Sequence, residues 1–270
     1  MDDDLTDTSY AVEDGLCWIT IERPARYNSF TAHTVDELIR CFKRAWADPE
    51  VGVVALTGAG EKAFCTGGDQ KQRAESGDYG PSQTGLFEIE TLHRAIREIP
   101  KPVIAAVNGL AIGGGHVLHV ICDLSIAAEH AQFGQAGPRV GSFDAGFGTG
   151  FLARVVGEKR AREIWFLCRK YSAQEAERWG LVNRVVPGLE LHEEVRRYAD
   201  EILALSPTAL RFLKQSFNQE TEHLAGQAAL AFSGLHEFVS SAEAQEGVRA
   251  FEEKRKPDFA PYRARASQVL

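Results

Sequence analysis

Two glycine-rich points stand where backbone amides could do chemistry: Phe64-Cys65-Thr66-Gly67-Gly68-Asp69 and Gly109-Leu110-Ala111-Ile112-Gly113-Gly114-Gly115. Glycine lets the main chain approach a ligand closely, and amides at a helix N-terminus carry partial positive charge. Each point follows a buried-strand pattern, so the two turns could converge their N–H groups on one oxygen, as an oxyanion hole requires. The alternative is a pair of tight turns that only permit close packing. Neither is a phosphate-binding loop, because no Gly-Lys-Ser/Thr follows and the spacing is not GxGxxG.

A second constellation is Gly141-Ser142-Phe143-Asp144-Ala145-Gly146. Ser142 and Asp144 can face one cavity if the turn is extended, and a carboxylate in a dry pocket can act as base or hold a water. The competing reading is local turn chemistry, with both side chains bonded to nearby backbone. His116 and His119 share one helix face, but no third ligand has suitable spacing, so no metal site is expected.

The elements that must position these groups read as follows. Tyr10 to Glu22, with Asp14-Gly15 at its centre, predicts a hairpin, and Thr31 caps a helix through Ala47. Val51–Leu56 and Val103–Val107 are buried strands, and short strands follow near Leu124–Ala127 and Gln132–Gln135. Gly67 to Gly85 has no period and predicts a mobile loop beside a site, followed by an amphipathic helix from Leu86 to Ile99. Gly113-Gly114-Gly115 opens a helix over His116–Ile121. Beyond Phe151 helical patterns dominate: Glu158–Cys168, Ala173–Trp179, Leu191–Leu205, Pro207–Phe217, Glu222–Val239 and Glu243–Glu253. The expectation is an α/β class with an acidic tail at 1–9, an α/β core over 10–200 and a helical region over 201–270.

With 270 residues, 44% hydrophobic and 25% charged, the composition is that of a soluble globular chain. A net charge of −8 argues against nucleic-acid binding. The five dispersed cysteines (Cys17, Cys41, Cys65, Cys122, Cys168) read as reduced thiols. Without a signal-like or membrane-spanning run, the expected location is cytoplasmic.

Taken in order, Ala63–Asp69, Lys101-Pro102-Val103-Ile104-Ala105-Ala106-Val107-Asn108-Gly109, Gly113–Gly115, Cys122-Asp123-Leu124 and Phe133-Gly134-Gln135 resemble the enoyl-CoA hydratase/isomerase (crotonase) family. The resemblance runs from about Gly15 to Phe259. It implies a spiral of ββα units, a C-terminal helical region that packs in a homotrimer or homohexamer, and an acyl-CoA substrate. It places the oxyanion amides at Gly68 and Gly114. Coenzyme A contacts are implied at Arg26, Gly67, Asp69, Gln70 and Lys254; for Arg26 and Lys254 a solvated surface cation is the alternative. No cofactor beyond the coenzyme A of the substrate is implied.

Hydratases of the family use two glutamates, and their positions here hold Val117 and Gly137, which cannot move a proton. Phe133–Asp144 and Lys159–Cys168 resemble the branch containing 2-ketocyclohexanecarboxyl-CoA hydrolase and 1,4-dihydroxy-2-naphthoyl-CoA synthase. Both work on a carbon–carbon bond beside a thioester carbonyl, in opposite directions. Gly113–Leu118 and Gly141–Asp144 resemble the synthase, which would bring a bicarbonate near Gly137. Ser206–Leu210, Ser216–Asn218, Glu253–Pro257 and the short loop after Tyr79 resemble the ring-opening hydrolase, the reading preferred here. Asp144, oriented by Ser142, would then be the base. The tyrosine of this branch is replaced by Val239, leaving Tyr79 or His236 as proton donor, with His236 otherwise a surface histidine. An isomerase or thioesterase on the same scaffold, and a non-catalytic acyl-CoA-binding protein, are the remaining alternatives.

Overall fold

A computed structural model describes residues 4–143 and 147–266. Strands β1 (Thr8–Glu13) and β2 (Leu16–Ile21) form the expected hairpin, with Asp14 and Gly15 at φ of 45° and 80° in the turn. Helix α1 (Ala32–Ala47) begins at Thr31, whose hydroxyl accepts the Thr34 N–H, as expected of a threonine cap.

From there the chain repeats one move. β3 (Val53–Gly58) leads to β4 (Ala63–Cys65) and helices α2 (Gln70–Ser76) and α3 (Ile89–Glu98). β5 (Val103–Val107) leads to β6 (Leu110–Ile112) and α4 (Gly114–Ile121). β7 (Leu124–Ala128) leads to β8 (Gln132–Gly134), α5 (Phe147–Val156) and α6 (Glu158–Leu167). The first strand of each turn joins one sheet, ordered β1-β2-β3-β5-β7-β10 with β10 at Arg184–Val186, and the second joins another, ordered β4-β6-β8-β9 with β9 at Lys170–Ser172. β9 (Lys170–Ser172), α7 (Ala173–Arg178), β10 (Arg184–Val186) and α8 (Leu191–Leu203) complete the spiral. Helices α9 (Pro207–Gln219), α10 (Leu224–Val239) and α11 (Ala242–Glu252) form the C-terminal region.

Every residue of β3 and β5 is buried, which is why both read as unbroken apolar runs: parallel strands here are covered on both faces. One face packs Phe42, Phe64, Phe133 and Leu56 against α1, α3 and α4; the other packs Ile104, Ile126 and Val53 against Leu191, Val195 and Ala199 of α8. Each fully buried aromatic or aliphatic side chain contributes about 1.5–3 kcal/mol. Asn108 ties the crossover between sheets, its amide donating to the carbonyls of Gly58 and Gly60, while Asn28 donates to Ala59 and Ala63.

Several expectations need correction. The stretch Gly67–Gly85 contains α2, capped by Asp69, whose carboxylate accepts the N–H groups of Lys71 (3.1 Å) and Gln72 (3.2 Å). β4, β6, β9 and β10 escaped notice because three residues carry no readable period. α5 starts Phe-Gly-Thr-Gly, a poor helix former stabilised by burial of Phe147, Phe151 and Leu152. β1 begins at Thr8, with Thr6, Asp7 and Thr8 bonded to the Glu37 carboxylate of α1, and α8 runs through residue 200.

A buried lysine fastens α9 to the spiral. Lys214 donates to the carbonyls of Ile96 (3.1 Å) and Lys101 (3.0 Å) and to Asp123 (2.7 Å). Burial holds its ammonium below the usual lysine range, against the pull of Asp123. Lys214→Ala is expected to remove the donor of two carbonyls and to leave Asp123, among the described residues, with the Val103 N–H alone, at a cost of about 2–4 kcal/mol. A urea midpoint measured at constant m-value checks this.

Candidate active site

Phe30 brings the two glycine turns together. Its N–H donates to the Gly67 carbonyl (2.8 Å), and its carbonyl accepts the Asp69 N–H (2.9 Å). Gly68, between them, therefore turns its own amide away from Phe30, and its carbonyl is taken by the Gln70 side chain (3.0 Å). The Phe30 ring covers Gly114, where an added Cβ would lie 2.7 Å from the ring. Gly113, at φ 59°, makes the left-handed bend that starts α4 with Gly114 as first residue. A Cβ on Gly67 would stand 2.8 Å from the Gly114 nitrogen, so the turns are in direct backbone contact. Among the described residues no acceptor takes the N–H of Gly68 or of Gly114.

Both glycines line one cavity of about 750 Å³. Tyr79 lies on Gly68, where a Cβ would meet its ring at 2.2 Å, and packs against Phe87 with ring centroids 4.6 Å apart. Val117 and Gly137 line the wall without a carboxylate, as do Val239 and His236 of α10. Ser142 and Phe143 line it from the loop after β8, and Phe147 from α5; Asp144 lies outside the described residues. The Ser142 N–H closes that loop onto the Gly137 carbonyl at 2.9 Å. From α2, Arg73 braces the same loop through the carbonyls of Val140 (3.3 Å) and Gly141 (3.0 Å), and α11 backs it, since a Cβ on Gly247 would lie 2.2 Å from the Gly141 nitrogen.

The remaining expected contacts sit off the cavity lining. Asp69 is buried, capping α2 and pairing with Arg23 at 3.1 Å. Arg26, exposed, stands 4.0 Å from the same carboxylate, and Gly67 (φ 82°) shapes the turn. Lys254 is exposed beyond the end of α11 at φ 52°. His116 and His119 pack edge-to-face against Phe133, with His116 bonded to Gln135 and His119 to Ser125.

Several lining residues went unremarked as site residues in the sequence, among them Arg73, Glu88, Glu90, His93 and Trp165. The signal for His93 was its place on the apolar face of α3 with Ile89 and Ile96, and for Trp165 its place beside Ala161 and Ile164. The Trp165 Nε1–H is buried without an acceptor among the described residues, and neither does the Gly137 N–H meet one. Gln135 lines the same cavity, its side-chain nitrogen 3.3 Å from His116 Nδ1.

The enoyl-CoA hydratase/isomerase family model matches residues 11–261. An enoyl-CoA hydratase from Mycobacterium avium subsp. paratuberculosis is 30% identical, with a TM-score of 0.84 over 95% of this chain and 99% of its own. An enoyl-CoA hydratase from Bacillus anthracis is 34% identical, with a TM-score of 0.73 over 94% and 98%. A carnitinyl-CoA hydratase from Mycobacterium avium is 30% identical, with a TM-score of 0.82 over 94% and 98%. This chain belongs to the enoyl-CoA hydratase/isomerase (crotonase) family of acyl-CoA enzymes. Among the described residues no helix is long and apolar enough to cross a membrane.

Proposed function

We propose that the protein opens a cyclic β-ketoacyl-CoA, such as 2-ketocyclohexanecarboxyl-CoA, by hydrolytic carbon–carbon cleavage. The observation that carries the reading is the cavity lining: Val117 and Gly137 supply no carboxylate, the acidic residues Asp78, Glu88 and Glu90 line it from the 77–91 stretch instead, and Ser142 and Phe143 bring the 141–143 turn onto the same cavity. The thioester oxygen would lie between the Gly68 and Gly114 amides. Asp144, oriented by Ser142, takes a proton from water, and the hydroxide adds to the ring ketone. Collapse of the adduct breaks the bond to the α-carbon, giving a carboxylic acid and a thioester enolate held by the amides. Tyr79 then protonates the α-carbon and recovers its proton from solvent, while Asp144 releases to solvent the proton it took from water.

Two amides aimed at that enolate are each worth about 3–4 kcal/mol in comparable sites. Incubation of 2-ketocyclohexanecarboxyl-CoA in heavy-oxygen water, read by mass spectrometry, is expected to place label in the new carboxylate. Asp144→Asn is expected to lower kcat by about 10²–10⁴. Unlabelled product, or undiminished turnover by the variant, would remove the mechanism.

A second reading, ring closure as in a 1,4-dihydroxy-2-naphthoyl-CoA synthase, is favoured by the Trp165 and Gly137 donors. Bound there, bicarbonate would supply a base; Gly137 and Trp165 would hold it. Bicarbonate-dependent formation of an aromatic chromophore from o-succinylbenzoyl-CoA separates the two. Assembly as a homotrimer or homohexamer is part of the proposal, supported by Phe212, Leu213 and Phe217, large apolar side chains left exposed on α9. Arg26 and Lys254 are proposed to meet the phosphates of coenzyme A.

A further inference from the structure

His93 is buried, with 5% of its surface exposed, and it lines the acyl cavity. Neither ring nitrogen has a hydrogen-bond partner among the described residues. Its neighbours across the cavity wall are aromatic: the Phe147 ring lies 5.1 Å away between centroids and the Phe232 ring 6.4 Å away. Aromatic faces of this kind are weak acceptors and offer no lone pair. A buried polar group left unpaired by its own protein is costly, and in a ligand cavity such groups are the ones that fix the orientation of a bound molecule.

The placement differs from that of the other buried histidines. His116 and His119 each bond a neighbouring side chain through Nδ1, leave only Nε2 without a partner among the described residues, and do not line the cavity. His93 projects from the apolar face of α3, in line with Ile89 and Ile96, where an aliphatic residue would serve packing equally well. Burial also keeps the ring neutral by pushing its pKa down to about 3. A neutral imidazole offers one N–H donor and one acceptor nitrogen. Gly68 and Gly114 engage one oxygen, that of the thioester, and a β-ketoacyl group carries a second, on the ring.

We infer that His93 reads this second oxygen, donating its N–H to the ring ketone and so selecting acyl groups that carry an oxygen beyond the thioester. The inference deepens the ring-opening reading and rests on it for the identity of that oxygen as a ketone. In that reaction the same N–H polarises the carbonyl that water attacks and meets the negative charge that forms on its oxygen. His93 would then be both a specificity-determining and a catalytic residue.

The test uses two esters with no ketone, so that binding is measured without ring opening: 2-hydroxycyclohexanecarboxyl-CoA and cyclohexanecarboxyl-CoA. Isothermal titration of the full-length protein is expected to show the hydroxylated ester bound about 10- to 100-fold more tightly, because a site built for a hydrogen bond rejects the analogue that lacks it. His93→Phe, close in shape to its aromatic surroundings, is expected to erase that ratio while holding cyclohexanecarboxyl-CoA at least as well as before. His93→Gln, which keeps a donor and an acceptor, is expected to retain part of it. If the phenylalanine variant does not fold, His93→Leu takes its place. An undiminished ratio in a folded variant lacking both nitrogens, or no preference in the native protein, overturns the assignment. The heavy-oxygen experiment separates this from the reaction itself. A His93-dependent preference without label in the product defeats ring opening alone, whereas labelled product with the preference intact in His93→Phe defeats the role of His93 alone.

Discussion

Gly115→Ala is expected to abolish enolate stabilisation. A Cβ at this position would stand 1.9 Å from the carbonyl oxygen of Cys65 and 2.4 Å from its carbonyl carbon. Both are main-chain atoms, so no rotamer change relieves the overlap, and β4 must move away from α4. Cys65 leads directly into Thr66-Gly67-Gly68, so the movement separates the two amides that face the cavity. Loss of one donor costs about 3–4 kcal/mol in comparable sites, roughly 10²–10³ in rate. Acetoacetyl-CoA is a convenient probe, because its enolate absorbs and a hole that binds it raises that absorbance. The native protein should show the rise and Gly115→Ala should not. Gly226→Ala is the control: nothing lies within 4 Å of its added Cβ, and the helix position favours alanine by about 1 kcal/mol. An unchanged enolate signal in Gly115→Ala would show that the β4–α4 contact does not set the hole.

Acid should unfold this protein early. Burial pushes the imidazoles of His93 and His116 down to about 3, and burial with the nearby His116 holds His119 well below its ordinary value. In the unfolded chain all three titrate near about 6.5. Between the two values the unfolded chain binds protons that the folded one refuses, so stability is full above about pH 6.5 and drains as pH falls toward about 3. At about pH 5, His93 and His116 together remove about 4 kcal/mol, and His119 adds to the loss with the same sign. Against a total stability of about 5–15 kcal/mol this is a large share. Urea midpoints between about pH 7.5 and pH 5 should fall steeply, and His116→Gln should flatten the slope. A midpoint independent of pH over that interval would mean that these rings are not held neutral by burial.

Most of the fold was legible because its long elements follow simple periods. The Thr31 cap, the Asp14-Gly15 turn and the buried runs of β3 and β5 were each readable within a dozen residues. Among the elements that escaped, β4, β6, β9, β10 and α2 are short, and their stability comes from neighbours distant in sequence, while α5 was hidden by its Phe-Gly-Thr-Gly start. The same division runs through the site. Gly68 and Gly114 announced themselves as glycine turns after apolar strands, and Tyr79 and Ser142 as polar groups in glycine-rich stretches. Asp69 and Gln70 belong to the same motif, yet their side chains hold the backbone of the turn, capping α2 and bonding the Gly68 carbonyl. Lys254 stands off the cavity lining for a similar reason: the end of a helix projects it into solvent.

Local chemistry therefore determined which residues could bend, cap or carry a charge, because a turn, a cap and a buried strand each depend on a few consecutive side chains. Adjacency was decided by the folded chain alone. Phe30 clasping two turns that are 46 positions apart, and His93 reaching the wall shared with Phe147 and Phe232, depend on parallel strand pairing across long crossovers. No period along the chain encodes which crossover lands beside which, since that choice minimises exposed apolar surface over the whole core at once.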